Sequence, residues 1–230
     1  MHLGGNIGQP LLCQADEMNA TDFAVLELSS FQLMTMRQSP QIAVMTNLAP
    51  NHLDVHKSME EYCAAKCNIF RYQAADGKLV VNLDNAITSA MADQARCPVA
   101  FFSRKQPVQN GYFCRDGAIF EARDGRETYL MDASDIFLPG VHNIENFMAA
   151  FSAVDDLVDR ETMRTVARTF KGVEHRIEYV RTFRGVRYYN DSIASSPSRA
   201  IAGLCSFDQK LIILAGGKDK GCLLYTSRCV

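Results

Sequence analysis

The chain has 230 residues, of which 47% are hydrophobic and 22% charged, and its formal net charge is −2. That balance excludes intrinsic disorder, a collagen-like repeat and a coiled coil as the main architecture. No run reaches the roughly 18 apolar residues of a membrane span, and so small a charge argues against nucleic acid or an anionic membrane as principal partner.

The N-terminus, Met1 to Asn6, lacks the basic region and apolar stretch of a signal peptide. Eight cysteines contain no C-x-x-C pair. They are expected to be reduced thiols in a cytoplasmic protein.

Four short apolar runs come first: Asp22 to Leu28, Gln41 to Leu48, Gly77 to Leu83 and Pro98 to Ser103. Such runs read as strands buried on both faces. Helical patterns lie between them at Met59 to Tyr72 and Ala86 to Gln94. The alternation predicts an α/β fold with a mostly parallel sheet. From Gly111 to Met131, the Asp116-Gly117 and Asp124-Gly125 pairs predict a small antiparallel meander. A long helix is expected from about Asn143 to Val158 and a shorter one from Glu161 to Phe170.

Lys171-Gly172 reads as a boundary. Beyond it the pattern predicts a hairpin around Arg184-Gly185, a helix near Ser196 to Cys205 and a strand at Lys210 to Ala215. These begin a second α/β unit. Residues 222–230 show neither a cap nor a periodicity and are expected to be a non-native tail.

Four features carry chemistry. Glu27 closes an apolar strand, where burying a carboxylate costs several kcal/mol unless it is paired or metal-bound. Open α/β sheets place ligands at the carboxyl ends of parallel strands, although an exposed glutamate just past the strand fits the pattern too. After the next strand, His52, Asp54 and His56 form a cluster that can ligate a divalent ion. Ser58 and Glu61 mark a helix start as a capping box. On that helix Lys66 shares the apolar face of Tyr62, Ala65, Ile69 and Phe70. A lysine there either snorkels to water or keeps a desolvated amine with a lowered pKa. Asn143 and Asn146 open the long helix. Asn143 can cap it, while Asn146, one turn along, offers an amide suited to an adenine edge.

In order, Gly4-Gly5-Asn6-Ile7-Gly8, Leu26 to Leu33, Asn51-His52-Leu53-Asp54, Ala64-Ala65-Lys66, Gly140 to Asn146, His175-Arg176 and Asn190-Asp191-Ser192 resemble the Mur ligases. The Leu26 to Leu33 run with Asn190-Asp191-Ser192 favours the branch that adds D-glutamate.

The resemblance implies ATP-dependent ligation of D-glutamate to UDP-N-acetylmuramoyl-L-alanine, through an acyl phosphate, in peptidoglycan synthesis. It implies two Mg²⁺ ions, with Glu27, His52 and Lys66 as ligands, Lys66 carrying a CO₂-derived carbamate. Asn143 and Asn146 would hold adenine, and Arg176 and Asp191 would reach the nucleotide. Asn6 would meet the UDP-sugar substrate, Ser29 and Ser30 would be substrate-binding, and Lys220, or Lys218 in another register, would meet the D-glutamate carboxylate. Ile193 stands where some relatives have lysine.

The implied domains are a central ATP-binding domain at 1–172 and the start of a C-terminal ligase domain at 173–221. The family's phosphate-binding loop would precede residue 1, so this chain is expected to be an internal fragment, inactive alone. Competing readings are a folylpolyglutamate-synthase-like ligase, a metal-dependent hydrolase using Glu27, His52, Asp54 and His56, and a non-catalytic nucleotide-binding module.

Overall fold

A computed structural model describes residues 1–8, 10–49, 58–195 and 197–216. Its six-stranded sheet has the order β3-β4-β5-β6-β7-β8, formed by Ile42–Met45, Lys78–Asn82, Val99–Ser103, Gly111–Arg115, Ala118–Arg123 and Arg126–Asp132. The β3–β4 and β5–β6 pairs are parallel and the β6–β7 and β7–β8 pairs antiparallel. This is the mixed α/β fold that the sequence predicts. The chain divides into two compact units, one of residues 1–81 and 85–99, the other of 82–84 and 100 onward.

In the first unit, β1 (His2–Gly5) and β2 (Ala24–Glu27) form a separate parallel pair. The sequence predicts a strand buried on both faces at β2, yet all four of its residues are exposed. Among the described residues β1 is the strand paired with β2, and Val25 and Leu26 of its apolar run are 49% and 43% exposed. By contrast, Ala43, Met45, Leu79, Val80 and Val81 of β3 and β4 are buried, as continuous apolar runs require.

Helix α2 (Met59–Arg71) starts where Ser58 Oγ accepts from Glu61 N at 3.3 Å. It buries Tyr62, Ala65 and Phe70. A five-residue helix, α1 (Ser30–Met34), packs on it, and Asn68 Nδ2 donates to Leu33 O at 2.8 Å. After a further short helix, α3 (Ala86–Met91), a 3₁₀ turn covers Ala92–Gln94.

In the second unit, left-handed Asp116-Gly117 and Asp124-Gly125 pairs close the β6–β7 and β7–β8 hairpins, as Asp-Gly turns demand. Phe113 stacks on Phe120 across the first, ring centroids 5.5 Å apart. Helix α4 (Val141–Val154) lies against β6, and α5 (Arg160–Thr169) contacts β8. The β9 (Glu178–Phe183) and β10 (Val186–Asn190) hairpin forms its own two-stranded sheet, followed by α6 (Pro197–Leu204).

The strand predicted at 210–215 does not form: 210–216 pair with no strand among the described residues, and Ile212 and Leu214 are over 90% exposed. A strand needs a hydrogen-bonded neighbour, and none of the described residues supplies one there. No described helix is long and apolar enough to cross a membrane.

Candidate active site

In the first unit the site is built at the carboxyl ends of β1 and β2. The register sets Gly5 opposite Glu27, so Asn6 emerges beside the glutamate. Asn6 N donates to Glu27 O at 2.6 Å, and Asn6 Nδ2 to Glu27 Oε1 at 3.0 Å.

This approach needs glycine at position 5. Its φ is +102°, and a Cβ there would collide with the Glu27 carbonyl oxygen. Gly5→Ala is therefore expected to cost roughly 1–3 kcal/mol of stability, read as a fall in the denaturation midpoint.

The chain after Glu27 turns into α1 through a reciprocal cap. Ser29 Oγ accepts from Gln32 N at 3.3 Å while Ser29 N donates to Gln32 Oε1 at 2.9 Å. Ser30 behind it is buried. This cap fixes the direction in which the Leu28 carbonyl leaves the strand.

That carbonyl accepts from Lys66 Nζ at 3.3 Å. Burial pushes the half-buried Lys66 ammonium down, and the Glu27 charge pulls partly the other way. The partial burial of Lys66 and its bond to Leu28 O leave it between the two readings, snorkelling and desolvated, that the sequence leaves open. Glu27 itself is exposed, whereas Lys66 is half-buried.

His52, Asp54 and His56 lie outside the described residues, as do Lys218, Lys220 and residues 222–230. Among the described residues no three His, Cys, Asp or Glu side chains converge as a metal site.

In the second unit α4 begins at Gly140, whose φ is +100°. Asn143 is therefore not the cap that the sequence allows. It is the third helical residue, and its Nδ2 reaches back to Pro139 O at 2.7 Å. A left-handed glycine starts the helix one turn earlier than an asparagine cap would. Asn146 Nδ2 approaches Asn143 Oδ1 at 3.4 Å, so the two amides stand on one face.

Glu145, between them, accepts from Arg104 Nε at 3.2 Å. Burial pushes the His142 imidazole down; Glu145 and Asp191 oppose this, and Arg176 adds to it. His142 thus lies within the electrostatic reach of both Arg176 and Asp191.

Arg176 belongs to a turn with unusual backbone. His175 has φ +65° and Ile177 φ +47°, conformations that cost on the order of 1–3 kcal/mol each. Asp191 Oδ1 accepts from Ile177 N at 3.1 Å, and Glu178 Oε2 accepts from His175 N at 2.8 Å. The structure thus gathers Arg176 and Asp191 at one turn, as it gathers Asn6, Glu27 and Lys66 around another edge.

Glu178 and Arg104 escape a reading of the sequence alone, because their partners Asn190 and Glu145 lie 12 and 41 positions away. Gly5 had a visible signal: a Gly-Gly-Asn that ends a short apolar start.

The Mur ligase middle domain model matches residues 2–154. The chain belongs to the Mur ligase family. Asn6, Glu27, Lys66, Asn143 and Asn146 all fall inside that match, with Arg176 and Asp191 beyond it.

Among curated Mur ligases, the chain is 60% identical over 219 residues to UDP-N-acetylmuramoylalanine--D-glutamate ligase of Acetivibrio thermocellus. The match covers 95% of this chain and 47% of the relative. The chain thus spans about half the length of the curated relatives it matches.

Among solved structures, a crystal structure of MurF from Acinetobacter baumannii shares the fold at 15% identity and TM-score 0.62. It covers 87% of this chain and 51% of that one. MurF ligase from Thermotoga maritima, in complex with ADP, matches at 19% identity and TM-score 0.56, covering 81% and 45%.

Proposed function

We propose that the protein carrying this chain is an ATP-dependent ligase that joins D-glutamate to UDP-N-acetylmuramoyl-L-alanine in peptidoglycan synthesis. The observation that carries this reading is the 60% identity, over 95% of the chain, to a ligase named for that reaction. The half-buried Lys66 beside Glu27 supports it on chemical grounds.

A carboxylate has no usable leaving group at neutral pH. Phosphoryl transfer from ATP makes an acyl phosphate, which the D-glutamate amine attacks with loss of phosphate.

Glu27 fits a role as Mg²⁺ ligand. It is an exposed carboxylate with one oxygen engaged by Asn6, and hard cations take oxygen ligands. His52 and Lys66 would complete the ligand set for two ions. The ions would neutralise the crowded phosphate and carboxylate oxygens.

Lys66 suits carbamate formation. A neutral amine attacks CO₂, the new N–C bond forms, and one proton leaves to solvent; desolvation keeps the amine neutral more readily. The product is a carboxylate where an ammonium stood.

Asn143 and Asn146 would hold the adenine edge, and Arg176 and Asp191 the ribose and phosphates. Asn6, Ser29 and Ser30 would meet the UDP-sugar, and Lys220 the D-glutamate carboxylate. The separate β9–β10 sheet supports a C-terminal domain that starts at residue 173. Such substrates would place the protein in the cytoplasm.

The test is ADP release by the full-length protein carrying this sequence. With UDP-N-acetylmuramoyl-L-alanine present, turnover is expected to require D-glutamate and to fail with L-glutamate. Equal turnover with a folate substrate, or hydrolysis without ATP, would overturn the reading.

A further inference from the structure

Asn190 holds a position that fixes the state of a neighbouring imidazole. Its Oδ1 accepts from Ser192 N at 3.1 Å. A backbone N–H can only donate, so this contact decides which end of the amide is oxygen. Nδ2 then faces the other way, where it meets His175 Nδ1 at 2.8 Å and Glu178 Oε2 at 3.2 Å. Since the amide nitrogen donates, His175 Nδ1 must accept. The ring proton therefore sits on Nε2, on a ring that is largely exposed.

Glu178 ties the same group from the other side. One carboxylate oxygen accepts from both Asn190 Nδ2 and His175 N. The second acid, Asp191, holds Ile177 N. His175 and Ile177, both left-handed, thus flank Arg176, and each is fastened by a side chain at the end of β10 or the start of β9.

We infer that Asn190 and Glu178 are positioning residues, which lock His175 as its Nε2–H tautomer and hold the strained turn that presents Arg176 to the nucleotide. This rests on the reading of Arg176 as a nucleotide-binding residue. The turn thus carries an N–H donor at His175 and a guanidinium on the next residue, groups of the kind that bind phosphate or ribose oxygens. Neither Asn190 nor Glu178 needs to touch the ligand.

The test combines a spectroscopic and a kinetic readout on the full-length protein. Nitrogen NMR with ¹⁵N-histidine, assigned by loss of a signal in His175→Gln, is expected to show a pyridine-type Nδ1 and a pyrrole-type Nε2. Asn190→Ala is expected to release the ring to a tautomer mixture. Glu178→Ala and Asn190→Ala should raise KM for ATP about 10- to 100-fold, with a smaller change in kcat. Glu178→Gln keeps an acceptor oxygen and should stay within about threefold of wild type.

A protonated Nδ1 in the wild-type protein would overturn the tautomer assignment, even if a variant failed to fold. Unchanged KM in both alanine variants would overturn the positioning role. Arg176→Ala separates the two ideas: an unchanged KM there would refute the nucleotide reading, whereas the His175 spectrum reports on the clamp alone.

Discussion

Lys66→Ala in the full-length ligase is expected to lower D-glutamate-dependent turnover by about 10²- to 10³-fold, the scale for losing one electrostatic group that acts on the transition state. The loss should fall on kcat more than on KM for D-glutamate. Lys66 lies near the reacting oxygens in this account and does not bind the amino acid. Steady-state ADP release, compared at saturating substrate, checks it.

The same lysine predicts a stability change of opposite sign. Burial pushes its pKa below the ordinary value, which is about 10.4. Below the folded-state pKa both folded and unfolded chains carry the proton, and the desolvation cost is fully present. As pH rises from there towards the ordinary value, the folded chain releases its proton first and stability increases. Lys66→Met, which fills the site without a charge, is therefore expected to raise Tm at neutral pH relative to the wild type in CO₂-free buffer, where the lysine is an ammonium, while abolishing turnover. A drop in both would mean that Lys66 is a structural residue.

The largest stability loss is expected at Glu121, which is only 2% exposed. Its carboxylate accepts from Arg123 Nε and, at 2.7 Å, from Arg160 Nε. Arg123 also reaches Asp156 at 3.3 Å, which extends the network across β7 and the end of α4. Burial alone would raise the Glu121 pKa, but the two guanidinium hydrogen bonds outweigh it and hold the group below its usual range.

Glu121→Ala removes the anion beneath the two arginines and is expected to destabilise by about 3–5 kcal/mol, read from urea denaturation. The pH dependence follows the depressed pKa. This stabilisation is present above the ordinary glutamate value of about 4.3 and is lost as pH falls through the folded-state value. Glu121→Ala should flatten that part of the acid denaturation curve. An unchanged curve would show that the network contributes nothing.

What the sequence revealed follows how locally each feature is specified. The Asp-Gly turns, the apolar runs of β3 and β4 and the helix start at Ser58 depend on residues close in the chain and formed as read, the last with the Glu61 N to Ser58 Oγ half of a capping box. Strand β1 was invisible because His2–Gly5 is short and ends in two glycines, with no alternation to mark it. Helix α1 carried its S-x-x-Q cap in plain view at Ser29 to Gln32, but five residues give no periodicity to confirm it. The strand expected at 210–215 had the right composition and no partner, which composition cannot supply.

The site divides the same way. Spacing put Lys66 on an apolar helical face without deciding between a snorkelling and a desolvated amine, and in the structure it is half-buried with a bond to Leu28 O. Asn143 misled, because asparagine is a good cap and Gly140 took the role through its positive φ. The clamp of Glu178 and Asn190 could not be read, since it depends on β9 and β10 pairing in register.

One measurement tests the central claim most directly: ¹³C NMR of the full-length protein with ¹³C-bicarbonate. The account predicts a carbamate resonance that is present in the wild type and absent in Lys66→Ala. The resonance should fade in CO₂-depleted buffer together with ligase activity. Full turnover without that resonance, in buffer free of CO₂, would contradict it.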